Sequence, residues 1–294
     1  MLLLCLILAH LVADFWLQTD DMVKNKMNQI KKHLLHHFIT TALVLTIFWG
    51  YYYHFSNIVG YLILPLCFVI VTHFIIDVLK IKLLDTIKAT NEDNLKKLGF
   101  FLLDQLLHVI MLIITCTIFF HIRAITLVTR LLQLLGENDG INKLNTVNAL
   151  LLILIIFILA TSVSGHMIKL ILGSLPSQLA NFEGKFAFKN KLAEAKDRKA
   201  TAEHDFSGEY HYITYANPLL SRGRLIGYIE RLLVILLTIV GAYPAIAFIV
   251  TAKSIARFKQ LDDRNWAEYF LLGTLSSIFL GTLLGFLLKL MING

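Results

Sequence analysis

The chain has 294 residues, of which 57% are hydrophobic and only 16% charged, with a mean hydropathy of +0.69. So apolar a composition excludes an ordinary soluble domain and implies an integral membrane protein, because several apolar runs approach the roughly 20 residues of a helical span. The net charge of +7 sits mostly on Lys and Arg in connecting segments, where it reports topology; no nucleic-acid partner is expected.

The pattern predicts an all-α polytopic transmembrane helical bundle of about eight spans, with seven as the alternative. The expected spans are Leu2–Leu17, His36–Tyr53, Ile58–Leu79, Leu98–Phe120, Val147–Leu172, Leu225–Val240, Pro244–Phe258 and Trp266–Met291. The N-terminal run lacks a basic leader region and a small-residue cleavage site, so it reads as a retained first span. It carries His10 and Asp14 at i, i+4, with Gln18 one turn further along the same face. A connector containing Lys24 leads to the His33/His36/His37 cluster and the second span. The third span repeats the first motif as His73-x-x-x-Asp77, followed by Lys80 and Lys82. In the fourth the motif is reversed, Asp104-Gln105-x-x-His108. Connectors rich in Lys and Arg alternate with one that has neither (His54 to Asn57), which puts the N-terminus outside and the odd spans running inward.

That orientation stacks His10, His73 and His108 in a deeper layer. Asp14, Asp77 and Asp104 form a shallower one, about 6 Å away along the axis. The reversal in the fourth span is what an antiparallel helix needs to match the other two. Ionisable groups inside membrane spans are costly and point to function. Imidazoles with carboxylates suit one or two Zn²⁺ or Fe²⁺ ions, so His10, Asp14, His73, Asp77, Asp104 and His108 are candidate ligands. His36, His37, Gln18 and Gln105 are candidates for catalytic roles. Lys24, Lys80 and Lys82 are candidates for holding an anionic lipid headgroup. The outer halves of these spans are nearly all apolar, which suits a membrane-embedded hydrolase opening to the cytoplasmic side. A metal-ion or proton transporter or sensor is the alternative, and a structural protein with satisfied His–Asp pairs the blander one.

Further on, 121–173 reads as a connector with the fifth span, and 174–224 as a cytoplasmic linker or lid. In 225–294, Gly241-Ala-Tyr-Pro244 breaks a long apolar run into a hairpin. The turn brings Glu230 opposite Lys253, with Arg231 and Arg257 nearby. In the last span Gly273, Ser277, Gly281 and Gly285 form a small-residue ridge, for packing within the chain or in a homodimer. Cys5, Cys67 and Cys116 show no ligand spacing and read as small buried side chains.

The string His10-Leu-Val-Ala-Asp14-Phe-Trp-Leu-Gln18, the His36/His37 pair, His73-x-x-x-Asp77-x-x-Lys80 and Asp104-Gln-x-x-His108 together resemble a family of bacterial integral membrane proteins. That family is catalogued as domain-of-unknown-function family 3307. The resemblance covers about the first 120 residues, with a fainter likeness over Gly227–Arg231 and Ala252–Phe258 to longer members. It implies a multi-pass protein of the bacterial inner membrane and carries no activity. The helix-borne His and Asp are also loosely similar to membrane metallohydrolases such as alkaline ceramidases, whose full motif order is not met here.

Overall fold

The computed structural model describes residues 1–19, 22, 26–87, 93–122, 145–173, 219–258, 261 and 264–293. Among these residues the protein is helical throughout, with no strand. Eight helices follow in order. They are α1 (Leu2–Phe15), α2 (Lys26–Tyr53), α3 (a π-helical turn Val59–Ile63 continuing as Leu64–Ile87) and α4 (Asn94–Phe120). Then come α5 (Thr146–Ile158, a π-helical turn Leu159–Val163, then Ser164–Leu172), α6 (Leu219–Val240), α7 (Tyr243–Ala256) and α8 (Arg264–Asn293). Five of them, α2, α3, α4, α5 and α8, are long and apolar enough to cross a membrane. α1 and α7 are apolar but only 14 residues long, and α6 is interrupted by Arg224, Glu230 and Arg231. The chain is a membrane protein.

Helices α1 to α4 close into a four-helix ring, each packing on the next and α4 returning to α1. The inward face of each is a stripe stepping by about four residues. In α1 it is Leu2, Leu6, His10, Asp14; in α3, Leu66, Val69, His73, Asp77. In α2 and α4, which run the other way, the order is His33, His37, Thr41, Leu45 and Asp104, His108, Leu112, Cys116. All four stripes change from apolar to ionisable at the same level. One end of the ring is therefore a sealed apolar core, of Leu2, Leu6, Leu45, Leu66, Val69, Leu112, Cys116 and Phe120. Of the three cysteines expected to be buried, only Cys116 is; Cys67 faces outward and Cys5 is half-buried.

Helix α5 lies between this ring and the C-terminal helices. One flank joins Leu11 and Phe101 through Ile155, Ile158 and Val163. The other joins Ile235, Leu284 and Leu288 through Ile156 and Ala160. Its π-helical turn misaligns backbone carbonyls, and side chains take them up. Ser164 Oγ donates to the Leu159 carbonyl, and the Arg231 guanidinium donates to those of Ala160 and Thr161. α6 ends at Gly241, whose φ of +79° suits glycine, and Pro244 falls in the first turn of α7, so the predicted hairpin break is present.

The small-residue face of α8 is used within the chain. A Cβ on Gly281 would meet Val234 at 2.9 Å, and one on Gly285 would meet Thr238 at 2.8 Å and the Ile235 backbone at 3.1 Å. Ser277 accepts from Arg231, and Gly273 faces Leu172 of α5. This is a packing use of the ridge within the chain, with α6 against Ser277, Gly281 and Gly285 and α5 against Gly273.

Candidate metal centre

At the level where the stripes turn polar, each of the four helices contributes one histidine, and the rings form a closed circuit. Centroids are 5.2 Å apart for His10–His37, 3.7 Å for His37–His73, 4.3 Å for His73–His108 and 4.9 Å for His108–His10. One turn along, the corresponding residues are Asp14, His33, Asp77 and Asp104. The sequence places three histidines above three aspartates; the structure adds α2, with His37 in the first tier and His33 in the second. All four histidines of the circuit, with His33, Asp77 and Asp104, are buried.

The polar atoms converge. His37 Nε2 lies 2.9 Å from Asp14 Oδ1, and His33 Nε2 lies 3.4 Å from the same oxygen. His33 Nε2 is also 3.1 Å from His73 Nε2 and 3.4 Å from Asp77 Oδ2. His10 Nε2 is 3.4 Å from Asp14 Oδ2. Two groups could each hold a metal ion, with ligand atoms all within 4.8 Å of one another: Asp14, His33, His37 and His73, and then His73, Asp77 and His108. His108 Nδ1 donates to the Asp104 backbone carbonyl at 2.8 Å, which fixes its orientation.

Around this core lies a supporting shell. Lys80 Nζ donates to Asp104 Oδ2 at 2.6 Å. The Gln105 amide donates to Asp14 Oδ2 at 3.0 Å and to Asp104 Oδ2 at 3.4 Å, tying α1 to α4. With Oδ2 so engaged, Asp14 presents Oδ1 to His33 and His37.

Several sequence expectations change. His36 is not in the cluster, because α2 begins at Lys26, well before the expected His36. With a helix through this region, the i, i+4 partner of His37 is His33, and His36 falls on another face. Gln18 lies past the end of α1 at Phe15, so it does not extend the face of Asp14. Lys80 turns inward to Asp104 and is not positioned as a free headgroup clamp. Lys82 is exposed, and Lys24 lies outside the described residues. In the hairpin, Lys253 Nζ meets Glu230 Oε2 at 2.6 Å, but Arg231 leaves that pair and points into α5. Arg257 caps the end of α7.

No curated protein and no solved structure matches the chain. A family model does, over residues 2–135, which take in all four helices of the ring and every residue of the two candidate ligand groups. Through that match residues 2–135 of the chain belong to the family described as Protein of unknown function (DUF3307).

Proposed function

We propose that this protein is a membrane-embedded, metal-dependent hydrolase that holds Zn²⁺ or Fe²⁺ in its His/Asp tiers. It acts on a lipid or other membrane-associated substrate from the cytoplasmic side of the bacterial inner membrane. One observation carries the metal: His33 Nε2 stands within 3.4 Å of Asp14 Oδ1, Asp77 Oδ2 and His73 Nε2 at once. A ring nitrogen has one proton or one lone pair, so hydrogen bonding satisfies only one of these neighbours. A cation among them serves several. Ligand atoms about 2.0–2.1 Å from a tetrahedral zinc lie about 3.3 Å apart, close to the separations found here.

A bound ion of this kind brings a coordinated water near neutrality in pKa and polarises an acyl or phosphoryl oxygen. The chain's own residues orient the site: Gln105 fixes Asp14, and Lys80 holds the side chain of Asp104, whose backbone carbonyl accepts from His108. The apolar core from Leu2 to Phe120 lies directly behind the histidine tier. A conduit needs polar groups through the full thickness, so this block favours one-sided chemistry over transport.

In this reading α1, α6 and α7 join the five long helices to make eight crossings, with the N-terminus outside and the Lys-rich connectors in the cytoplasm. The test is metal content of the detergent-purified protein by mass spectrometry, for wild type and a His73→Ala, Asp77→Ala variant. About one equivalent or more of Zn or Fe in the wild type, lost in the variant, supports the reading and directs a hydrolase screen on lipids. Absence of stoichiometric metal in wild type overturns it.

A further inference from the structure

We infer that the layer binds a second divalent ion of the same class, on His73, Asp77 and His108, with one coordination position left for an oxyanion. This rests on the metal reading above and goes beyond it by dividing the layer into two adjoining positions. His108 carries the argument. Its Nδ1 faces the Asp104 carbonyl at 2.8 Å, and a carbonyl only accepts, so the proton sits on Nδ1. The lone pair is then on Nε2, which is buried and has no hydrogen-bond partner among the described residues, on a residue only 3% exposed. A metal-ligating histidine is commonly held this way, its second nitrogen tied to a carbonyl.

The two groups share His73, whose single lone pair serves one ion at a time. With one ion bound, Asp14, His33, His37 and His73 supply four ligands, the count of a closed zinc site. With two, Asp14, His33 and His37 hold one ion and His73, Asp77 and His108 the other, three ligands each with a fourth position open. Asp77 Oδ2 lies 3.4 Å from His33 Nε2, so the two positions are contiguous. Such pairs of ions clamp one oxyanion between them.

Charge then selects the ligand. Three aspartates against the Lys80 ammonium leave the layer with two negative charges, which a single divalent ion neutralises. A second ion leaves a surplus of two positive charges in a buried layer, and an oxyanion at the open position compensates it. A phosphate ester is the substrate class that fits.

The experiment is a Zn²⁺ titration of metal-stripped, detergent-purified protein, read as bound zinc per chain. It is followed by calorimetric binding of inorganic phosphate to the zinc-loaded form. Two equivalents in wild type with phosphate binding are expected; His108→Ala should retain one equivalent and lose phosphate. The wild-type stoichiometry needs no variant to fold: one equivalent there overturns the second ion and leaves the metal reading standing. No zinc overturns both. Two equivalents that bind no phosphate overturn the assignment of an oxyanion. Competition by soluble glycerol phosphate or by phosphatidate in nanodiscs then distinguishes a free phosphoester from a lipid one.

Discussion

Gln105 donates to two of the aspartates, Asp14 and Asp104, from just outside the ligand groups. Replacing it by leucine keeps the size but removes both donors, freeing the Asp14 carboxylate to rotate. Under the metal reading, Gln105→Leu should weaken zinc binding about 10–100-fold, as loss of a supporting hydrogen bond to a ligand does, measured by competition with a chelator. Unchanged affinity would mean that Asp14 does not ligate. The α2 histidines give a sharper contrast. His33→Ala should remove zinc from the four-ligand group, and His36→Ala should leave the metal content as in wild type. The i, i+4 pairs on α1, α3 and α4 were legible in the sequence because their helices are apolar to either side and their register is evident. The α2 contribution was not. Lys31 and Lys32 look like a connector, yet they lie on a helix that starts at Lys26 and carries His33 inward.

At the scale of elements, α8 needs glycine at two positions, where it packs on α6, and has room for a methyl at a third, where it faces α5. A methyl on Gly285 would come within 2.8 Å of Thr238 Cβ and 3.1 Å of the Ile235 backbone, so α6 itself would have to move. At Gly273 the nearest atom is a Leu172 methyl at 3.7 Å, an ordinary contact. Gly285→Ala should therefore destabilise by about 1–3 kcal/mol through overpacking. Gly273→Ala should be neutral or gain up to about 1 kcal/mol of helix propensity. Unfolding in mild detergent, followed by circular dichroism, compares them; equal behaviour would contradict the packing. The four-residue repeat of small residues announced this ridge in the sequence. Which helix it receives was not readable, since close approach is set by the partner's shape. The π-helical turn in α5 was also hidden, because Leu159–Val163 carries no proline or glycine to mark it. Its mark is Arg231, which looked like part of the Glu230–Lys253 charge pair but caps the Ala160 and Thr161 carbonyls. Arg231→Met should cost about 1–3 kcal/mol for each buried carbonyl left without a donor, more than Lys253→Met at the partly exposed pair, in the same unfolding assay.

For the whole molecule, the open question is how a chain with five long apolar helices and three marginal ones sits in the bilayer. α1 and α7, at 14 residues each, are about 21 Å long, less than the roughly 30 Å hydrocarbon core. Their ends must be extended by flanking residues or met by a locally thinned bilayer. For α6 and α7 the charges argue for insertion as a hairpin: Glu230 and Lys253 neutralise each other across it, and Arg231 is satisfied by α5 and Ser277. Paired in this way, the three charges can lie below the headgroups at moderate cost. If α6 and α7 form a transmembrane hairpin of two crossings, the turn at Ala242 emerges on the same face as the α2–α3 turn at Ser56. A single long crossing would instead bury Ala242 at mid-membrane. With Cys5, Cys67 and Cys116 first replaced by serine, Ala242→Cys and Ser56→Cys should both react with a membrane-impermeant maleimide added outside intact cells. Lys96→Cys, at the start of α4, should react only after the membrane is opened. Labelling of Ser56→Cys without Ala242→Cys would refute eight crossings in favour of seven. Labelling of Lys96→Cys in intact cells would invert the orientation and turn the His/Asp tiers toward the opposite side.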